Sequence, residues 1–198
     1  LGDVYKRQSY TCMAPMILLR TADNASALSY LISIAGVGGL LGGLFMTIWG
    51  GPKKKFYGIT WGLFISAIGG MLFMGFGNAS AKTVFIVWGI SMFLSNFVMP
   101  MVGGSSQAIW QSKIPPEIQG KVFSARVMFA MAAVPIATAA SGLMADYVFE
   151  PFMANSGAVQ NVIEVYTGTG PGAGIAVMFL VSGVLCAVAM AVSMTFKK

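Results

Sequence analysis

The sequence predicts an all-α polytopic membrane helix bundle, and three observations carry that expectation. Hydrophobic residues make up 57% of the 198 residues and charged residues only 9%, whereas a soluble domain carries roughly a quarter charged residues. Mean hydropathy is +0.78. The few charges cluster between long apolar runs, so they cannot cover a globule's surface, and a lipid bilayer is the solvent that fits.

The segments follow in order. Residues 1–8 (LGDVYKRQ) are polar, begin without a methionine and look like a translated adapter junction, so they are set aside as a non-native scar. Residues 9–19 then read as the second half of a span, closed by the polar turn Arg20-Thr21-Ala22-Asp23-Asn24. A helix needs about 20 apolar residues to cross the hydrocarbon core. Residues 27–50, 57–77, 83–110, 122–147 and 174–196 meet that requirement, and each is hydrophobic all round rather than along one stripe. The domain reading is therefore a scar over 1–8 and one transmembrane unit over 9–198.

Charges alternate between the connections. Lys53, Lys54, Lys55, Lys113, Lys121, Arg126, Lys197 and Lys198 fall on one side. The other side holds Arg20 and Lys82 with Asp23, Asp146, Glu150 and Glu164. The bias of Lys and Arg toward the cytoplasm predicts that the first side, with the C-terminus, is cytoplasmic in an integral multi-pass protein of the cell membrane. The net charge of +6 then marks topology and calls for no nucleic-acid partner.

Gly38-Gly39, Gly42-Gly43 and the pair Gly58 and Gly62 are spaced for close helix packing. Pro100 and Pro135 lie inside spans and are expected to kink them. The connection 149–172 reads as a loop outside the membrane. Its run GTGPGAG (168–174) lacks the Gly-Lys-Ser/Thr ending and the strand context of a phosphate loop, and so predicts a flexible lead-in to the last helix.

Catalytic and metal chemistry find little support. There is no histidine, and the two cysteines, Cys12 and Cys186, are far apart inside apolar runs. No cofactor, metal or catalytic residue is expected. A membrane-embedded enzyme would have to rely on Asp146, Glu150 and Glu164, which lack a histidine or cysteine partner.

One stretch is more specific than the rest. Lys113-Ile114-Pro115-Pro116-Glu117-Ile118-Gln119-Gly120-Lys121-Val122-Phe123-Ser124 resembles the cytoplasmic loop before the penultimate helix of the major facilitator superfamily, in its macrolide-efflux-like, drug:proton antiporter branch. There the pattern is similar to P-P-E-x-x-G-R-V-F-S, with Lys121 here at the usual arginine. Ala133-Val134-Pro135, Ser141 to Asp146, Val148 to Met153 and Gly168 to Ala176 extend the likeness. The resemblance implies twelve helices in two halves. This chain would be the C-terminal six-helix half with its first helix truncated, partnered by the missing N-terminal half. It also implies secondary transport, with a small-molecule substrate held between the halves. The stretch GLFMTIWGGPKKK (43–55) matches the basic end of the family's G-x-x-x-D-R-x-G-R-R motif but lacks the acid.

Physically, two prolines stop a helix and place Glu117 near the positive end of the next one. Beyond that helix-start role, Glu117, Lys121 and Arg126 are gate candidates that could pair on the cytoplasmic side, with Lys53, Lys54 and Lys55 as topology anchors. No acid or base lies near the middle of a span, so coupling carboxylates are expected in the other half. The cavity wall is expected from Trp88, Met92 and Asn96, which share one helical face at four-residue spacing, flanked by Ser91 and Ser95. For Asn96 an interhelical hydrogen bond is the first reading and a substrate contact the second. Met128, Met131, Pro135 and Thr138 form a second, similar set. Methionine and aromatic side chains suit a bulky, apolar, cationic compound. The function expected is export of drug-like or macrolide-like molecules by alternating access. The alternative is a non-transporting membrane scaffold.

Overall fold

The computed structural model describes residues 13–155 and 157–195. The scar at 1–8, residues 9–12 of the half-span with Cys12, and residues 196–198, which hold the end of the expected last span with Lys197 and Lys198, lie outside the described residues. Among those described, every regular element is helical. A first helix, α1, covers residues 13–20. It is followed by α2 (Ala25–Trp49), α3 (Lys55–Ile65) running into a π-helical segment Ser66–Leu72, and α4 (Ala81–Lys113). Next come α5 (Pro116–Met144) with a second π-helical segment Ala145–Phe149, α6 (Glu150–Ala154), α7 (Ala158–Thr167) and α8 (Ala173–Thr195).

Four helical stretches are long and apolar enough to cross a membrane: Ala25–Trp49, Ala81–Lys113, Pro116–Ala154 and Ala173–Thr195. The segment expected to span at 57–77 is α3 continued through the first π segment, so its helix changes hydrogen-bonding pattern halfway. α4 is the hub, packing against α2, α3 and the first π segment, while α8 packs against both π segments.

Glycine makes these approaches possible. A Cβ at Gly38 would lie 2.6 Å from the Phe93 carbonyl oxygen, and one at Gly42 would overlap the Phe97 backbone. Gly39 and Gly43 face open space. The overlapping glycine pairs therefore divide: 38 and 42 seat α2 on α4, and 39 and 43 do not. Gly58 and Gly62 do the same for α3, facing Ser105 and Val102 of α4.

Local sequence sets the ends. The Asn24 side chain caps α2, accepting from the Ala27 amide at 3.1 Å. Gly50 ends α2 at φ 75°, a left-handed conformation that costs glycine least. Pro116 opens α5 in its first turn, where a missing amide proton is harmless.

Two expectations for the connection 149–172 change. The helix begun at Pro116 carries on through the second π segment into α6, and residues 158–167 form a helix instead of a loop. The reason is amphipathic: Ile163, Tyr166 and Thr167 turn toward the bundle, whereas Val159, Val162 and Val165 stay exposed. Among the described residues of this connection, Asn155, Gly157 and the glycine turn at 168–172 remain irregular, with Gly168, Gly170 and Gly172 all at positive φ.

The core gathers at one end of the bundle. Met16, Ile17 and Leu31 are fully buried with Trp88, Met92, Ala176 and Phe179. Apolar surface elsewhere is plentiful, with Leu40, Ile48, Phe129 and Ile136 each more than two-thirds exposed. In water such a surface would signal association, whereas in a bilayer it is the expected lipid-facing side.

Candidate functional site

The α4 residues expected to line a cavity fall into two groups. Trp88, Ser91 and Met92 are buried inside the bundle. The Trp88 indole Nε1 donates to the Phe76 carbonyl at 2.9 Å, tying α4 to the loop that precedes it. The Ser91 hydroxyl donates to the Gly70 carbonyl, a group of the first π segment. Met92 belongs to the apolar core. Ser95 and Asn96 are half-buried; Ser95 lies against Gly70, and the Asn96 amide donates to the Met92 carbonyl at 2.8 Å along its own helix. The shared face of Trp88 and Met92 thus points into this bundle's own core.

The α5 set is placed differently. Met128 and Met131 are 62% and 51% exposed, Pro135 is exposed and Thr138 half-buried. Of the 29 residues of α5, Ser141 is the buried one. These side chains stand open, and the structure does not gather them with the α4 set. An apolar groove of about 410 Å³ runs beside α4, lined by Ile34 of α2 and by Phe85, Ile90 and Phe93.

At the basic end, Lys53 and Lys54 are exposed and Lys55 half-buried. Lys54 Nζ lies 5.9 Å from the Tyr57 ring centroid. Glu117 and Lys121 are exposed. Arg126 lies with its guanidinium 5.3 Å from the Trp110 ring centroid and donates to Ser106 Oγ at 3.5 Å. The α4–α5 turn is held by Gln119, whose amide donates to the Ile114 and Gln111 carbonyls at 2.9 and 3.2 Å. Gln119, Trp110 and Ser106 were not singled out from sequence. Gln119 sits inside the motif-bearing loop, which was the available signal.

The opposite end holds a cluster that sequence reasoning missed. Tyr166 Oη donates to the Leu72 carbonyl at 2.8 Å, and the Gly77 and Asn78 amides donate to the Tyr166 carbonyl at 3.0 and 3.2 Å. The Asn78 side-chain amide adds a bond to the Val165 carbonyl at 2.9 Å. These bonds staple α7 to the end of the first π segment and to the loop that follows it. Burial raises the Tyr166 phenol above its ordinary value, because the phenolate would be poorly solvated there.

Arg20 lies among these loops, between Gly77 and Gly172, and helps line a cavity of about 330 Å³ with Thr21, Trp88 and Thr169. Its Nε and Nη2 are buried without hydrogen-bond partners. Burial lowers the guanidinium pKa, and the charge of Glu150 opposes that shift. Among the described residues, no group of three His, Cys, Asp or Glu side chains could hold a metal ion.

Comparison with known proteins adds one relationship. Over 109 residues, 55% of this chain, the sequence is 34% identical to Macrolide efflux protein A of Streptococcus pyogenes. The same protein from S. pyogenes serotype M6 (strain ATCC BAA-946 / MGAS10394) matches equally. The chain spans about a quarter of their length, the match covering 26% of each relative. No family model matches, and no solved structure matches.

Proposed function

We propose that this chain is part of a secondary active transporter of the major facilitator superfamily that exports drug-like or macrolide-like small molecules across the cell membrane. The observation that carries the reading is the 34% identity to a macrolide efflux protein, in a chain with four helices apolar enough to span. Composition supports it, since only 9% of residues are charged and the middles of α2, α4 and α8 carry none.

In this reading the protein moves substrate by alternating access between two bundles, this one supplying one wall and a second bundle the other. The lysine-bearing end and the C-terminus face the cytoplasm. α5 is the substrate-facing helix, because Met128, Met131 and Pro135 are unclaimed by packing, and methionine adapts to varied apolar ligands. α4 backs the wall through Trp88, Ser91 and Met92, and Asn96 on the same helix is the polar contact closest to it in role. No catalytic step belongs to the chain. The transported molecule is its substrate, and its partners are the bilayer and the N-terminal half that supplies the other wall.

The test is accumulation of a labelled macrolide in cells carrying the complete gene, against cells lacking it. Lower accumulation, partly restored by Met128→Ala with Met131→Ala, supports the reading. Equal accumulation in the two strains refutes export, and export unaffected by the double substitution removes α5 from the wall.

A further inference from the structure

Gly172 and the first two residues of α8, Ala173 and Gly174, lie between two opposite charges. Arg20 Cγ and Nε lie 3.6 Å from where a Gly172 Cβ would be, and a Cβ at Gly174 would strike the backbone of Phe149 and Glu150. All three residues are buried. On either side of this segment, Arg20 Nε and Nη2 and Glu150 Oε1 are buried without hydrogen-bond partners. Glu150 is the only acid among the described residues with such an oxygen; Asp23 and Asp146 are exposed.

A buried polar atom left without a hydrogen bond costs more than an exposed one; Arg20 and Glu150 feel each other's charge without bonding, so the arrangement is poised to rearrange. Two of the three guanidinium nitrogens, Nε and Nη2, are buried, and a protein carboxylate already close by is the nearest available counter-ion. We propose that Arg20 and Glu150 are a charge latch: in an alternative conformation they pair directly across the start of α8, and in the conformation described here they are held apart.

The fold supplies the moving part. Glu150 directly follows the π-helical segment Ala145–Phe149, and Gly174 of α8 bears on the last residues of that segment. A π turn carries one residue more than the α-helix it interrupts. Its reversion to α geometry would turn Glu150 by about 100° around the helix axis. Displacement of α8 against the π segment is thereby coupled to making or breaking the pair. The latch is independent of which molecule the protein transports.

The test uses the full-length protein in lipid nanodiscs. Arg20→Glu and Glu150→Arg are each expected to lower the unfolding midpoint, and the combined exchange to recover most of the loss, a coupling of about tenfold in the unfolding constant. Losses that simply add overturn the proposal. A second measurement holds even if an exchange variant does not fold. In a Cys12→Ser, Cys186→Ser background, Arg20→Cys with Glu150→Cys is treated with a bis-methanethiosulfonate whose spacer matches the reach of an Arg–Glu pair. Intramolecular bridging, read as joint loss of both thiols and the mass of one spacer, is expected. Attachment of two separate reagents without bridging overturns the latch.

Discussion

Replacing Gly38 and Gly42 by alanine should pull α2 away from α4, while the same change at Gly39 and Gly43 should not. At Gly38 the new Cβ meets the Phe93 carbonyl oxygen at 2.6 Å and its Cα at 3.1 Å, and at Gly42 the overlap with Phe97 is more severe. All of these obstacles are backbone, so no rotamer change relieves them, and the helices must separate. Overpacking of this kind costs about 1–3 kcal/mol per site, against which alanine returns about 1 kcal/mol of helix propensity. The inner pair should therefore destabilise by on the order of 2 kcal/mol together. The outer pair meets no atom within 4 Å and should stabilise by up to about 1 kcal/mol per site. The assay is unfolding of the purified full-length protein in mixed micelles, followed by tryptophan fluorescence. The sign is the decisive quantity: if Gly39→Ala with Gly43→Ala costs as much as the inner pair, the assignment of the packing face is wrong.

Three further outcomes follow from individual bonds. Trp88→Phe removes the 2.9 Å bond to the Phe76 carbonyl and leaves that carbonyl unpaired, so unfolding in the same assay should become easier by about 1–3 kcal/mol. Gln119→Ala deletes both bonds across the α4–α5 turn and should speed amide hydrogen exchange over 114–120, with exchange in α2 unchanged. Tyr166 gives a pH dependence: its phenol is raised above 10.0 in the folded protein, so the folded state binds that proton more tightly than the unfolded one. The stabilisation is then complete below about pH 10 and falls as pH rises through the folded value, and Tyr166→Phe should lessen the loss of stability above about pH 10.

Most of the helices could be read from hydrophobicity because a bilayer demands continuous apolar length, and length is a one-dimensional property of sequence. The spans expected at 27–50 and 83–110, and that from 174 as far as the described residues reach, each correspond to one long helix, α2, α4 and α8. What hydropathy does not encode is the change of hydrogen-bonding pattern at 66–72 and 145–149, where local packing decides between α and π geometry. It also passes over α7, a helix of ten residues whose apolar positions are too few to register as a span. The α4 face was legible as a face, since Trp88, Met92 and Asn96 do share one side of a helix. Which way that side turned was not, because spacing fixes relative angle along a helix and says nothing of its rotation against neighbours. Trp88 illustrates the difference: its ring is 2% exposed and its indole proton is spent on Phe76. Arg20, read as a charge on the outer side, also sits half-buried between two glycines that only a three-dimensional arrangement brings together.

The placement of those glycines bears on how the bundle could move. Gly174 rests on the end of the second π segment, and a Cβ at Gly183 would come within 3.2 Å of the Ala67 carbonyl in the first. Both π segments thus meet α8 through glycines nine residues apart, two and a half turns of one helix. π turns occur frequently at functional sites. A rigid α8 bearing on two such segments would pass a displacement from one to the other. Since the Ser91 hydroxyl bonds to Gly70 in the first segment, that displacement would also reach α4. Gly183→Ala should therefore perturb more than local packing. Hydrogen exchange should rise in both π segments if α8 couples them, and in Ser66–Leu72 alone if they are independent, which would sever the link between the latch at Glu150 and the face of α4.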